Sequence, residues 1–176
     1  MPAIRAAELV FNGVHDMTDN SDIPSRRENW AVSEFRGGAK SLITLKSGHV
    51  LVADEPPGFA GGTGGQNTGP TPTGFLVAAF AADIPVVLQR IARAQGIELQ
   101  SVQARVTIAW NPRVIAGLDE GEPTPFEAVS DIEIRTDAAP AEIERMKAAY
   151  LKRCPLYNLL RLSGCRMVEN WNIAAP

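Results

Sequence analysis

The sequence predicts an α+β fold, with an antiparallel sheet packed against a long buried central helix. Three observations carry that expectation. Val102–Trp110 and Phe126–Ile134 alternate apolar and polar residues with a period of two, as half-buried strands do. Phe75 to Leu88 is apolar on nearly all sides, the mark of a buried helix. The segments follow the order β-β-β, loop, α, β-β, α, β, which fits an α+β architecture. With 176 residues, 45% hydrophobic and 21% charged, the chain can bury a substantial core and is not disordered by composition.

Residues 1–27 are weakly patterned, and Asp16 to Arg26 is rich in Asn, Asp, Ser and Pro. This stretch reads as an N-terminal extension ahead of a folded domain at 28–176. Trp30, Val32 and Phe35 open a strand that ends or bulges near Gly37-Gly38. Leu42–Leu45 and Val50–Val52 flank Lys46-Ser47-Gly48-His49 as a hairpin. Residues 56–74 hold 11 Gly or Pro out of 19, so they form a loop that crosses the fold and delivers the helix. Thr71 is the expected N-cap, with Pro72 at the first helical position. Pro85 removes one backbone bond and crowds the carbonyl of Ala81, which predicts a kink. Gly96 ends the helix after Ala94.

Asn111 to Pro125 is a Pro-, Gly- and acid-rich connection. Pro140 starts a second helix with Ile143, Met146, Ala149 and Tyr150 on one face, ending before Cys154-Pro155. Leu156–Leu162 continues as a short helical piece, Ser163-Gly164 breaks it, and Cys165–Ile173 is the closing strand.

Several function classes are disfavoured. The net charge is −3 and no basic tract exceeds Arg26-Arg27, so no nucleic-acid partner is expected. The longest nearly apolar run, from Phe75, has 14 residues and contains Asp83; no membrane span is expected from it. The first thirty residues lack a secretory signal pattern. Two cysteines make no disulfide framework and fit a reducing, cytoplasmic setting. His15 and His49 stand far apart with no metal-ligand spacing, so no metal is expected. The glycines of 58–69 lack both a Gly-Lys-Ser/Thr ending and a Gly-x-Gly-x-x-Gly register, so no nucleotide cofactor is expected. No Gly-x-Ser-x-Gly elbow occurs.

Two positions carry chemistry. Asp83 is the one ionisable residue between Phe75 and Leu88. It lies at an exposed edge or answers a buried arginine, or else it is a pocket acid with a perturbed pKa. Cys154, before Pro155 and after Lys152-Arg153, is either a small buried hydrophobe or a thiol biased toward thiolate.

The run Gly61-Gly62 … Gly69-Pro70-Thr71-Pro72 … Leu76-Val77-Ala78-Ala79-Phe80-Ala81-Ala82, followed by two strands and a helix ending in Lys152-Arg153-Cys154-Pro155-Leu156, resembles the OsmC/Ohr family. The resemblance runs from about Trp30 to the C-terminus. It implies an intertwined homodimer with sites at the dimer interface, and thiol-dependent reduction of organic hydroperoxides. In that chemistry a peroxidatic cysteine on the central helix attacks the peroxide. An arginine and a glutamate hold its thiolate, and a second cysteine before a proline resolves the sulfenic acid.

Carried over, Cys154 matches the resolving position and Arg36, in Phe-Arg-Gly-Gly, the arginine. The peroxidatic position falls on Asp83, and the glutamate position on Thr73 or Gly74. A carboxylate cannot cycle through a sulfenic acid and a disulfide, so the two-cysteine mechanism cannot run at Asp83. An Asp83–Arg36 ion pair is expected in its place. Breaking such a buried pair costs about 3–5 kcal/mol. Two functions remain open: a peroxidase working through Cys154 on organic hydroperoxides, or a non-peroxidatic protein, either a small-molecule binder or an enzyme of other chemistry. The second would take a small, largely apolar ligand with one polar or anionic group in a pocket lined by Asp83, Arg36 and Cys154.

Overall fold

The computed structural model describes residues 23–59 and 61–175; most of the expected N-terminal extension, 1–27, lies outside the described residues. β1 (Ala31–Phe35), β2 (Ser41–Leu45) and β3 (Val50–Ala53) form an antiparallel meander, with Ser33 opposite Ile43 and Ile43 opposite Leu51. The β1–β2 turn uses Gly37 and Gly38 at φ 95° and 56°, a region that favours glycine. Every residue of β1 is exposed, Phe35 at 75%.

The Gly/Pro loop folds back along β3. Its organiser is Asp54, which is 1% exposed and was not singled out from the sequence. Asp54 Oδ1 accepts from the Glu55 N–H at 2.9 Å. Asp54 Oδ2 accepts from the Gln66 N–H at 3.1 Å, the Thr68 N–H at 2.9 Å and the Thr68 hydroxyl at 2.8 Å. Bonds to the charged form, led by the Thr68 N–H, hold this carboxyl down at about 2. The loop lies so close that a Cβ on Gly65 would stand 2.0 Å from the Glu55 carbonyl oxygen. One on Gly69 would stand 2.1 Å from that of Val52. These glycines serve backbone approach.

The loop delivers α1 (Pro72–Ala94) as expected: the Thr71 hydroxyl accepts from the Gly74 N–H at 3.0 Å, and Gly96 follows the helix at φ 70°. α1 runs continuously with Pro85 inside it. At 23 residues it is long and apolar enough, by length and composition alone, to cross a membrane, which the 14-residue run did not suggest. Its Phe80, Ile84, Leu88 and Ile91 are instead buried in the core. The expectation of a helix buried all round is met on one face only. Ala78, Ala79, Ala82 and Val86 are exposed, because within one chain a single sheet and two helices cover one side.

A second sheet holds β4 (Ser101–Ala109), β5 (Glu127–Arg135) and β6 (Arg166–Ala174), in that spatial order. Between β4 and β5, within the Pro-, Gly- and acid-rich connection, lies a one-turn helix, α2 (Pro112–Ile115), capped by Asn111. Between β5 and β6 come α3 (Pro140–Arg153) and α4 (Pro155–Leu162). The α+β architecture is the expected one, with one departure from the antiparallel pattern. β4 and β5 pair antiparallel, but β6 pairs parallel to β5, since the chain returns through the helical crossover before entering the sheet. The inner face carries Ala128, Ser130, Ile132 and Ile134, all buried against the helices with Met146 and Tyr150 of α3. Each large apolar side chain buried there contributes about 1.5–3 kcal/mol.

Candidate functional site around Cys154

Pro155 stops α3 and starts α4, leaving Cys154 in extended geometry as the C-cap of one helix and the N-cap of the next. The Tyr157 N–H donates to Cys154 Sγ at 3.3 Å, so the sulfur caps α4. Cys154 is fully buried. Its thiol donates to Asp83 Oδ2 at 3.2 Å, joining positions 71 residues apart. Asp83 is half-buried on α1. The structure thus brings together two of the three residues singled out from the sequence.

The third stays apart. Arg36 lies just past β1, exposed, with Nη2 2.5 Å from Glu34 Oε2. Among the described residues of one chain, the expected Asp83–Arg36 ion pair does not form. The reason is topological: Arg36 belongs to the β1–β3 sheet, which forms no ladder with the β4–β6 sheet.

Behind the thiol lies an aromatic and acidic layer that sequence reasoning missed. Tyr150 is fully buried, its ring 6.0 Å from Tyr157 and 5.5 Å edge-on from Trp171. Lys147 Nζ stands 5.7 Å over the Trp171 ring and pairs with Glu144. Glu169 sits opposite Ser130 on the inner face of the sheet. Strand alternation was the signal available: Met167, Glu169, Trp171 and Ile173 share a face, so an acid there must point inward. Among the described residues, the Tyr150 hydroxyl and Glu169 Oε1 are buried without a hydrogen bond.

These surroundings keep the thiol protonated. Burial raises the Cys154 pKa most, and the Asp83 carboxylate adds to the rise. The Tyr157 N–H and the nearby Tyr150 hydroxyl oppose it, and burial wins. Tyr150 stands near enough to influence the sulfur but lacks the geometry of a hydrogen bond to it. Burial also lifts the Glu169 carboxyl and both tyrosines above their ordinary ranges. A peroxidatic centre needs the opposite, a thiolate beside a cation. On the outer face of the same sheet, a depression of about 450 Å³ between Arg105, Asp131, Glu133 and Asn170 is polar and open, and carries no nucleophile.

The profile of the OsmC-like protein family matches residues 64–167, a span that includes Asp83, Tyr150 and Cys154. The chain belongs to the OsmC-like family. A comparison with curated proteins finds no match. Solved structures agree on the fold. An OsmC-like protein from Mycoplasma pneumoniae is 19% identical, with a TM-score of 0.65 over 85% of this chain and 97% of that one. An organic hydroperoxide resistance protein OsmC from Legionella pneumophila is 18% identical, with a TM-score of 0.62 over 86% and 99%. The organic hydroperoxide resistance protein OhrB of Bacillus subtilis is 18% identical, with a TM-score of 0.53 over 84% and 98%. At these identities the likeness shows the OsmC fold.

Proposed function

We propose that this OsmC-family protein belongs with the proteins of organic hydroperoxide resistance and oxidative stress, but does not run their two-cysteine cycle. It binds a small, largely apolar organic ligand at the Asp83–Cys154 site as a cytoplasmic homodimer. The observation that carries this reading is the 3.2 Å hydrogen bond from Cys154 Sγ to Asp83 Oδ2. The carboxylate stands where the second sulfur of a redox pair would have to be, and it makes the remaining thiol less acidic. Sulfenic acid formation needs thiolate attack on the O–O bond, with the alcohol leaving; a buried thiol beside an anion is a poor starting point.

The exposed apolar side of α1 and the uncovered β1–β3 sheet support the homodimer, because large apolar surface left open on one chain favours burial against another. In such a dimer Arg36 of a second copy is the natural counter-charge for Asp83. Two free, buried thiols suit a reducing compartment.

Peroxide consumption tests the reading. With cumene hydroperoxide and a dithiol, wild type and Cys154→Ser are both expected to show no turnover above background, and Asp83→Cys to gain it. The sulfur-capped N-terminus of α4 favours a second reading, catalysis by Cys154 alone. Wild-type turnover abolished by Cys154→Ser establishes that reading and removes the first.

A further inference from the structure

α4 is apolar on the side it turns away from the core as well as on the side it buries. Tyr157 and Leu160 pack inward, with Leu156 half-buried beside them. Pro155, Leu159 and Leu162 recur at i, i+4 and i+7, so they form a single stripe, and all three are exposed. Leu162 is the most open, at 74%. Phe126, also exposed, lies at the C-terminal end of the helix. There the Cys165 N–H donates to the Leu160 carbonyl, and the Arg166 N–H to the Phe126 carbonyl. A helix apolar on every side is ordinarily covered on every side, and within one chain this one is not.

The charge around the stripe has one sign. From Lys152 to Arg166 the chain holds Lys152, Arg153, Arg161 and Arg166 and no acidic residue, although the whole chain carries a net charge of −3. All four are exposed. Arg166 is paired with Glu127. Arg161 donates to the neutral Asn158 Oδ1, and its charge is left standing. Lys152 and Arg153 pair with no carboxylate among the described residues.

These charges and the shape of the stripe decide what can cover it. A second copy presenting the same face across a twofold axis would set like charges against one another. A partner helix needs a groove, and leucines standing out from a single convex helix offer none. A lipid interface needs no groove. Its acyl boundary takes up protruding apolar side chains while anionic headgroups meet the cations beside them.

We infer that the outer face of α4 is a docking surface for an anionic lipid bilayer. Pro155, Leu159 and Leu162 enter the interface, and Lys152, Arg153 and Arg161 meet the headgroups. The protein lies on the membrane without spanning it. The inference is independent of the chemistry at Cys154.

Vesicle co-sedimentation of the full chain tests it, with phosphatidylcholine alone and with phosphatidylcholine mixed with phosphatidylglycerol. Wild type is expected to bind the mixed vesicles, to bind neutral ones at least about tenfold more weakly, and to be released by added salt. Leu159→Ser combined with Leu162→Ser is expected to weaken binding to mixed vesicles by about tenfold or more. Lys152→Gln combined with Arg153→Gln is expected to weaken it by about tenfold and to flatten the salt dependence. Both double variants replace exposed side chains, so Tm is expected to stay within about 2 °C of wild type. Wild type that stays in solution with mixed vesicles at low salt overturns the inference. So does binding that the leucine variant leaves unchanged. Sedimentation velocity gives a further check: if the leucine variant alone breaks a wild-type assembly into smaller species, the face joins copies of this chain and the inference fails. It also fails if a synthetic helix with one leucine face and one glutamate face binds more tightly than the vesicles, which assigns the surface to a protein.

Discussion

Two acids in this molecule point into its interior, and the chain treats them in opposite ways. Asp54, at the foot of the Gly/Pro loop, accepts four hydrogen bonds and is held ionised. Glu169, on the inner face of β6, has a buried oxygen with no bond, and burial lifts its pKa. The difference lies in what each carboxyl does for the fold. A satisfied carboxylate organises the backbone around it and has no capacity left for a guest. An unsatisfied one keeps its capacity and weakens the fold slightly.

The loop side of the contrast offers the largest effect. Gly65→Ala drives a methyl group against the Glu55 carbonyl, where only backbone could yield. It is expected to cost about 3 kcal/mol, read as a lower urea midpoint. The same change at Gly64, whose Cβ would meet nothing but whose φ is 93°, is expected to cost about 1 kcal/mol or a little more.

Opposite pH dependences sharpen the comparison next. Asp54 has a folded pKa of about 2, below its ordinary 3.8. Its stabilisation is therefore present above pH 3.8 and lost as pH falls toward 2. Glu169 has a folded pKa raised above 4.5, so its contribution is present below pH 4.5 and is lost as pH rises through the folded value. In Tm–pH profiles, Asp54→Asn is expected to flatten the acid limb and lower Tm at neutral pH. Glu169→Gln is expected to flatten the decline above pH 4.5 and raise Tm at neutral pH. If both variants shift the profile in the same direction, the contrast is wrong.

The smallest effect concerns the thiol itself. Asp83 contributes to the raised pKa of Cys154, so Asp83→Asn is expected to speed iodoacetamide alkylation of Cys154 at pH 8 by roughly threefold. An unchanged rate would show that burial alone governs the sulfur.

Much of the fold was legible because local rules sufficed. Thr71-Pro72 and Gly96 bracket α1, Pro140 marks the start of α3, and period-two runs locate β4 and β5. The family pattern led to an Asp83–Arg36 pair; the structure has Asp83 accept from the Cys154 thiol instead, with Arg36 beside Glu34. Glu169, Tyr150 and Asp54 escaped notice because their surroundings are set by groups 12 to 39 positions away or on another element. Tyr150 read as one more apolar position on a helix face. Nothing local marks its hydroxyl as unbonded.

By itself, the sequence determined where most of the helices and strands lie, and that one acid interrupts the apolar run of the central helix. Those outcomes depend on backbone propensity, caps and side-chain chemistry, which act over a few residues. Tertiary structure alone decided that β6 runs parallel to β5, that α1 is covered on one side, that Arg36 does not meet Asp83 within one chain, and that the Tyr150 hydroxyl and Glu169 Oε1 find no hydrogen-bond partner among the described residues. Each of these depends on which distant surfaces meet, and hydrophobic burial, which drives that meeting, is non-directional and leaves no local trace in the order of residues.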